Sequence, residues 1–187
     1  MSLEETLIAH GSPTLAGLKT ASLFRITPED GFCFGRQFKR WKRALASYGL
    51  GLVILQGCWK TKSYLLYLYR VQDLRNTLLD SENAAFLHAM GYAQLEDTRR
   101  CLNLLASRLA CKGAFPHEIG VFLGYPLEDV KGFIRNKGQN YTCCGCWKSY
   151  GDPALAQQGF AQFRKCTEIY QQQYRLGVPF TRLIVTA

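Results

Sequence analysis

Residues 52–69, LVILQGCWKTKSYLLYLY, decide the class of fold. Two runs rich in Leu, Val, Ile and Tyr, residues 52–55 and 63–69, flank a polar link at residues 59–62. Short apolar runs between turn signals are typical of β-strands, and the near absence of polar alternation indicates strands that are covered on both faces. The stretch therefore predicts a hairpin, or two adjacent strands, inside the protein.

Further elements are predicted on both sides of this hairpin. A strand at residues 21–26 precedes a turn at 28–31, and residues 180–186, rich in Thr, Ile and Val, predict a C-terminal strand. The spacing of apolar residues predicts helices over 71–80, 82–90, 94–110, 116–123, 126–136 and 153–175. The predicted fold is α+β: a small, mainly antiparallel sheet of about four strands, including the C-terminal strand, packed with a larger helical region.

Composition favours one folded domain. The chain has 187 residues, 48% of them hydrophobic, which is enough to bury a core and excludes a disordered tail. We expect a single domain over residues 1–187, with residues 1–70 and 178–187 forming the sheet part and residues 71–177 the helical part. The longest aliphatic run, residues 52–55, is far shorter than the ~20 residues of a membrane span.

The N-terminal segment and the cysteines predict a cytoplasmic protein. Glu4 and Glu5 stand where a secretory signal would carry Lys or Arg. Without secretion, and with an ample core, the eight cysteines do not indicate a disulfide framework. We therefore expect reduced thiols.

The positive charge is concentrated in one region. The formal net charge is +9, and residues 31–72 contain no acid while contributing eight of these units. Helical spacing in residues 33–48 predicts an apolar stripe of Phe34, Phe38, Trp41 and Leu45. The opposite side of that helix, here called the basic face, carries Arg36, Lys39, Arg40 and Arg43. Such a face can attract phosphate, nucleic acid or an acidic partner protein, or can be a solvated helix face.

A cysteine cluster at residues 143–146 is the strongest candidate for metal chemistry. Cys143 and Cys146 form a Cys-x-x-Cys pair, and Trp147 and Lys148 follow directly. Paired thiolates can bind iron or zinc, and we take Cys143, Cys146 and Cys166 as the candidate metal ligands, with His117 to complete a tetrahedral site. The same cysteines could instead perform thiol–disulfide exchange, or be inert thiols in a tight loop.

Residues 115–134 have the pattern of a helical hairpin. The apolar positions are Ile119, Leu123, Val130 and Phe133, with the small Gly120 between the helices and Gly124 in the turn. The pattern allows a structural hairpin or a helix-turn-helix that recognises nucleic acid. In the second case the face presented to DNA would consist of Leu127, Glu128, Lys131 and Gly132, although acids at the start of that helix, Glu128 and Asp129, would repel phosphate.

Signatures of known catalytic sites are absent from the sequence. No Walker, Rossmann, zincin or Gly-x-Ser-x-Gly pattern occurs. The adjacent residues His117 and Glu118 nevertheless offer an acid–base pair for an enzyme of unrecognised type.

His10 precedes a predicted helix start at Ser12-Pro13. Free amides at a helix start bind anions, and Thr14 and Lys19 could add donors to such a site. The alternative is that His10 packs against its own turn.

Several segments, in order along nearly the whole chain, resemble an uncharacterised bacterial family, the domain of unknown function number 3793 (DUF3793). They include HGSPTLAGLK at residues 10–19, LYLYR at 66–70, the hairpin at 115–134, GCWKSYGD at 145–152, Cys166 and residues 183–185. The resemblance implies a cytoplasmic protein of anaerobic bacteria, associated with iron uptake and flavodoxin-type redox functions. The basic face agrees with this expectation, because it could dock an acidic partner such as a flavodoxin-type protein.

The leading hypothesis is an accessory or binding protein in iron or redox metabolism. Its surface would combine His10, Thr14 and Lys19 with His117, Glu118, Cys143, Cys146, Trp147 and Lys148. A nucleic-acid-binding protein and an enzyme using the His117-Glu118 pair are the alternatives.

Overall fold

A computed structural model describes residues 2–29, 31–58, 60–111 and 115–186. The chain forms two compact units. The first, here called the sheet unit, comprises Met1–Leu74 and Cys166–Ala187, and the second, the helical unit, comprises Arg75–Lys165. Asp30 of the predicted turn and Trp59 of the predicted link lie outside the described residues. Within the described part of the chain, no helix combines the length and apolar character that crossing a membrane requires.

The sheet unit contains three strands, β1 (Ala21–Ile26), β2 (Leu50–Cys58) and β3 (Ser63–Arg70), which form an antiparallel sheet in the order β1-β3-β2. With its helices, this sheet confirms the predicted α+β class. Both β2 and β1 pair with β3, and the register of β2 shifts between Ile54 and Gln56. Successive residues of β3, Leu65 to Leu68, are all buried, as expected for a strand covered on both faces.

Helix α2 (Gly31–Ala46) packs its apolar stripe onto the core of the sheet unit. Trp41 lies edge-on to Phe180 with ring centroids 4.5 Å apart, and Leu45 is fully buried. All four cations of the basic face, Arg36, Lys39, Arg40 and Arg43, are exposed.

The predicted helix start at Ser12-Pro13 is wrong. Helix α1 spans Leu3–Leu15, and its N-terminus is closed by a capping box between Ser2 and Glu5. Ser12 and Pro13 lie in its last turns, where the Ser12 hydroxyl donates to the carbonyl of Ile8. The helix therefore ends where it was predicted to begin.

The predicted C-terminal strand is also wrong, and the sheet has three strands in the described residues. Phe180–Leu183 forms a 3₁₀ turn, and Phe180 is buried against the core. The amide of Val185 donates to the carbonyl of Leu15, 3.0 Å away, and the carbonyl of Val185 accepts a hydrogen bond from Arg70 Nη1. These bonds to a helix end and a side chain replace those of a strand ladder.

The helical unit follows the predicted order of helices. The helices after α2 are α3 (Val71–Leu79), α4 (Ser81–Ala89), α5 (Thr98–Ala110), α6 (Ile119–Phe122), α7 (Leu127–Arg135) and α8 (Pro153–Arg175). Side chains of Asp80 and Asp97 cap α4 and α5, and Asp152 accepts a hydrogen bond from the amide of Ala154 at the start of α8. The two boundaries between the units fall within α3 and within α8.

Helices α6 and α7 form the predicted hairpin. Gly124, in the turn between them, has φ +73°, a backbone conformation that residues with a side chain rarely adopt. A Cβ at Gly120 would lie 2.6 Å from Cγ2 of Val130, so the glycine permits the close approach of the two helices.

A two-stranded hairpin occupies the position of the cysteine cluster. Strand β4 (Cys143–Cys144) pairs antiparallel with β5 (Lys148–Ser149), and the amide of Gly145 bonds to the carbonyl of Trp147 across the turn.

Substitution of Gly120 tests the packing of α6 on α7, and substitution of Gly35 in α2 is the control. Gly120→Ala should lower the free energy of unfolding by about 1–3 kcal/mol, because the added methyl group overlaps Val130. Gly35→Ala, where a Cβ in α2 meets no atom within 4 Å, should raise it by about 0.5–1 kcal/mol. Urea denaturation followed by circular dichroism measures both. A Gly120→Ala protein as stable as wild type would contradict this packing.

Candidate functional site

The carboxylate of Asp129, in the first turn of α7, organises the site in the helical unit. The residue is only 4% exposed. Hydrogen bonds to a charged acceptor are stronger than neutral ones, and a buried charge needs such partners. The two oxygens accept four hydrogen bonds, from Trp147 Nε1 (2.7 Å), Ser149 Oγ (3.1 Å), the amide of Tyr150 (2.6 Å) and the amide of Gly151 (3.1 Å).

These bonds fix the indole of Trp147. Its ring stacks on Tyr125, with centroids 5.0 Å apart and planes at 23°, and meets Phe160 edge-on at 4.5 Å. Burial, and to a smaller extent the nearby Cys146, raises the pKa of Tyr125 to about 12. The phenol of Tyr125 therefore stays protonated at neutral pH. Tyr125 and Trp147 thus present a stacked pair of rings.

Lys148 projects its ammonium between aromatic rings. Nζ donates to the carbonyl of Gly138 at 2.8 Å, and lies 4.9 Å from the ring centroid of Tyr141 and 5.9 Å from that of Phe133. Cation–π contact of this kind holds the ammonium in place. Among the described residues, Lys148 forms no ion pair.

His117 lies beside the same aromatic group. Its exposed ring is 4.9 Å from the ring of Phe133 and 5.6 Å from that of Phe115, centroid to centroid. His117 and Lys148 are therefore both close to Phe133.

Together these residues line a cleft of about 350 Å³, here called the aromatic cleft, which lies entirely within the helical unit. Its apolar lining consists of Phe115, Ile119, Gly120, Tyr125, Val130, Phe133, Gly145 and Trp147. Its polar lining consists of His117, Asp129, Cys144, Cys146 and Lys148. Of the predicted site residues, His117, Cys146, Trp147 and Lys148 come together here.

Glu118 does not line the cleft, although it follows His117 in sequence. Glu118 is only 2% exposed, and its carboxylate forms an ion pair with Arg108 Nη1 at 2.5 Å. The hydroxyl of Tyr92 also donates to it, at 3.2 Å, and burial together with Glu118 raises the pKa of Tyr92. The buried Glu118 thus forms an ion pair outside the cleft. The structure does not bring His117 and Glu118 together in the cleft as the predicted acid–base pair.

The predicted anion site around His10 has no helix start to supply amides. Thr14 is buried, and its hydroxyl shares a hydrogen bond of 2.8 Å with that of Ser22. The amide of Lys19 donates to the carbonyl of Pro13 as α1 ends. His10 is exposed and stacks on Phe24, with centroids 5.6 Å apart, so it packs on a neighbouring strand. All of these residues belong to the sheet unit.

The cysteines are free thiols in differing environments. Cys144 and Cys146 are exposed at the cleft, Cys143 is half-buried outside its lining, and burial raises the pKa of Cys166 in the sheet unit. Across the described residues, no group of three or more His, Cys, Asp or Glu side chains is placed to hold a metal ion. The predicted ligand set Cys143, Cys146 and Cys166, for iron or zinc, gains no support from this arrangement.

Part of the face expected to meet DNA is covered. A Cβ at Gly132 would lie 2.4 Å from Cγ of Tyr150, so the tyrosine lies directly over this glycine of α7. Asp129, expected to repel phosphate, is turned inward to the hairpin. Glu128 and Lys131 remain exposed.

Sequence reasoning missed Asp129 and most of the aromatic lining of the cleft. A signal was present, because Asp129 and Phe133 are four residues apart and so share a face of α7 with the apolar stripe. An acid on the apolar side of a helix indicates a buried charge with partners elsewhere in the fold.

Substitution of Asp129 tests its organising role. Asp129→Asn should lower the free energy of unfolding by about 3 kcal/mol or more, because an amide offers donors where donors already converge and removes the charge. The matched control is Glu128→Gln, at the exposed neighbouring position, which should change it by less than about 0.5 kcal/mol. Urea denaturation measures the stability, and the NMR resonance of the Trp147 indole N–H reports on the bond. Equal stability of the two variants would contradict the role.

Comparison with known proteins agrees with the resemblance seen in the sequence. The model of a family described as "Protein of unknown function (DUF3793)" matches residues 7–184. No curated protein and no solved structure matches the chain. Since the match covers nearly the whole sequence, the chain belongs to the DUF3793 family.

Proposed function

We propose that this protein is an accessory binding protein whose aromatic cleft holds a planar, mostly apolar small molecule. The observation that carries the proposal is the cleft itself, about 350 Å³ in volume and lined mainly by aromatic and aliphatic side chains with a few polar groups. Small-molecule sites in proteins generally have this size and this composition.

The arrangement of rings favours a planar ligand. Trp147 and Tyr125 lie nearly parallel, and Phe133 stands at the cleft beside His117. Flat aromatic molecules gain from offset stacking or edge contacts with such rings, in addition to burying apolar area. Because Asp129 holds Trp147 in place, little ordering of the indole is required on binding.

The polar groups of the cleft favour binding over catalysis. Asp129 is buried and its oxygens accept four hydrogen bonds from the protein, which gives this carboxylate a structural role. Glu118 lies outside the cleft lining, and among the described residues His117 has no ion-pair partner to orient its ring. Acid–base catalysis generally requires a base oriented by a further group.

A role in iron or redox metabolism is part of this proposal. Planar ring systems that carry electrons, such as quinones and flavins, belong to the class of ligand that stacked aromatic side chains accept. The exposed thiols of Cys144 and Cys146 lie at the same cleft. The proposal places the ligand on the aromatic rings and does not require a bound metal.

Binding of a neutral planar probe, phenylnaphthylamine, tests the proposal. Phe133→Ala should raise its dissociation constant about tenfold, because the variant removes a ring from the cleft. Phe86→Ala, also at a half-buried phenylalanine of the helical unit but outside the cleft lining, should change it less than about twofold. Probe fluorescence measures both constants, after circular dichroism has shown that each variant is folded.

Alkylation of the thiols gives a second readout on the unmodified protein. Bound probe should slow the reaction of iodoacetamide with Cys144 and Cys146, but not with Cys111, which is exposed outside the cleft. Peptide mass spectrometry resolves the three sites. No binding of the probe, or binding without protection of the cleft cysteines, would contradict the proposal.

The basic face of α2 supports a second proposal, docking of an acidic protein of the flavodoxin type. Arg36, Lys39, Arg40 and Arg43 are exposed over two turns, and α2 contains no acid. The apolar side of α2 is occupied by the core of the sheet unit, so this side is not available to enter a lipid surface. Clustered charges of one sign steer and orient a partner of opposite charge.

Charge reversal tests the docking surface. The double variant Lys39→Glu, Arg43→Glu should weaken binding to purified flavodoxin at least tenfold, and wild-type affinity should fall as NaCl rises from about 50 to about 200 mM. The control Arg99→Glu, Lys165→Glu makes the same change in net charge at exposed positions of the helical unit and should retain most of the affinity. Isothermal titration calorimetry measures the dissociation constant of flavodoxin for the wild type and for both double variants. Binding of duplex DNA but not of flavodoxin would assign the face to nucleic acid and overturn this proposal.

A further inference from the structure

The proposed ligand-binding role of the aromatic cleft leaves the chemical class of the ligand open, and Lys148 bears on it. Lys148 is half-buried at the cleft, yet no carboxylate of the described residues pairs with it. An ammonium has three N–H donors, and the carbonyl of Gly138 takes one of them. The side chain therefore retains charge and donors for a further partner.

The position of this ammonium is set before any ligand arrives. Lys148 belongs to β5 and pairs with Cys144 of β4, so the backbone of the hairpin fixes its Cα. The contacts with Gly138, Tyr141 and Phe133 then hold the side chain beside the rings. A cation ordered in advance costs little entropy when it binds an anion.

Asp129, the acidic side chain of the cleft lining, does not form an ion pair with Lys148. Asp129 is buried under the hairpin, and its oxygens are bonded to Trp147, Ser149 and the amides that follow. Aromatic walls lower the local dielectric constant, which strengthens an ion pair formed there. His117, at the same cleft, can supply an additional donor.

Building on the proposed function, we infer that the ligand of the aromatic cleft is an anion: a planar ring system bearing a carboxylate, sulfonate or phosphate group that pairs with Nζ of Lys148. The rings of this ligand contact Phe133 and Trp147, and its anionic group lies at the hairpin. Lys148 thereby selects anionic aromatic molecules over neutral ones of the same shape.

A matched pair of probes tests this selection. Anilinonaphthalene sulfonate and phenylnaphthylamine share their ring system and differ by the sulfonate. Lys148→Met should raise the dissociation constant of the sulfonate about tenfold or more, and change that of the neutral probe less than about twofold. Lys148→Arg, which keeps the charge, should recover most of the loss. The control Lys165→Met removes an exposed lysine of the same unit, outside the cleft, and should affect neither probe.

The outcomes separate this inference from the function on which it rests. Failure of the neutral probe to bind at all contradicts the proposed cleft. Equal weakening of both probes by Lys148→Met, or no weakening of the sulfonate, overturns the anion selection and leaves the cleft intact.

The wild-type protein provides a test that does not depend on folding of the variants. It should bind the sulfonate more tightly than the neutral probe, and added NaCl should weaken the sulfonate alone. Equal affinities that do not respond to salt would overturn the inference.

Discussion

The buried carboxylate of Asp129 is the interaction on which the rest of the site depends. A charge removed from water is tolerated only when hydrogen bonds replace its hydration, and here four donors from residues 147–151 do so. Those donors are about twenty residues away in sequence, so one side chain attaches the β4–β5 hairpin to α7. The hairpin in turn carries Trp147, Lys148 and the exposed thiols.

Close packing by small residues supports the same arrangement. Gly120 lets α6 approach Val130 of α7, and Gly132 leaves room on α7 for the ring of Tyr150. On the hairpin, a Cβ at Gly145 would lie 2.3 Å from Cδ2 of Phe160. Each glycine removes a side chain at a contact that the cleft requires, so its shape depends on backbone approach as much as on the aromatic rings.

The sequence was most informative where the structure is determined locally. The amphipathic stripe of α2, the start of α8 at Pro153 and the turn at Gly124 all depend on residues within a few positions of one another, and the structure confirms them.

The predictions that were wrong concern segments fixed by distant partners. The C-terminal residues form no strand because Phe180 enters the core and Val185 bonds to Leu15 and Arg70. Within the site, His117, Cys146, Trp147 and Lys148 were predicted from residue type and do meet at one cleft. Glu118 could not be separated from His117 in this way, because its ion pair with Arg108 of α5 is visible only in the fold.

Binding of a planar anion in the aromatic cleft is the property that we propose for the helical unit. Its most direct test is a two-dimensional amide NMR titration of ¹⁵N-labelled protein with anilinonaphthalene sulfonate. We expect saturable shifts at the amides of Gly120, Gly145 and Lys148 and at the indole N–H of Trp147, whereas the amide resonances of α2 stay in place. Shifts confined to α2, or no saturable shift around the cleft, would contradict it.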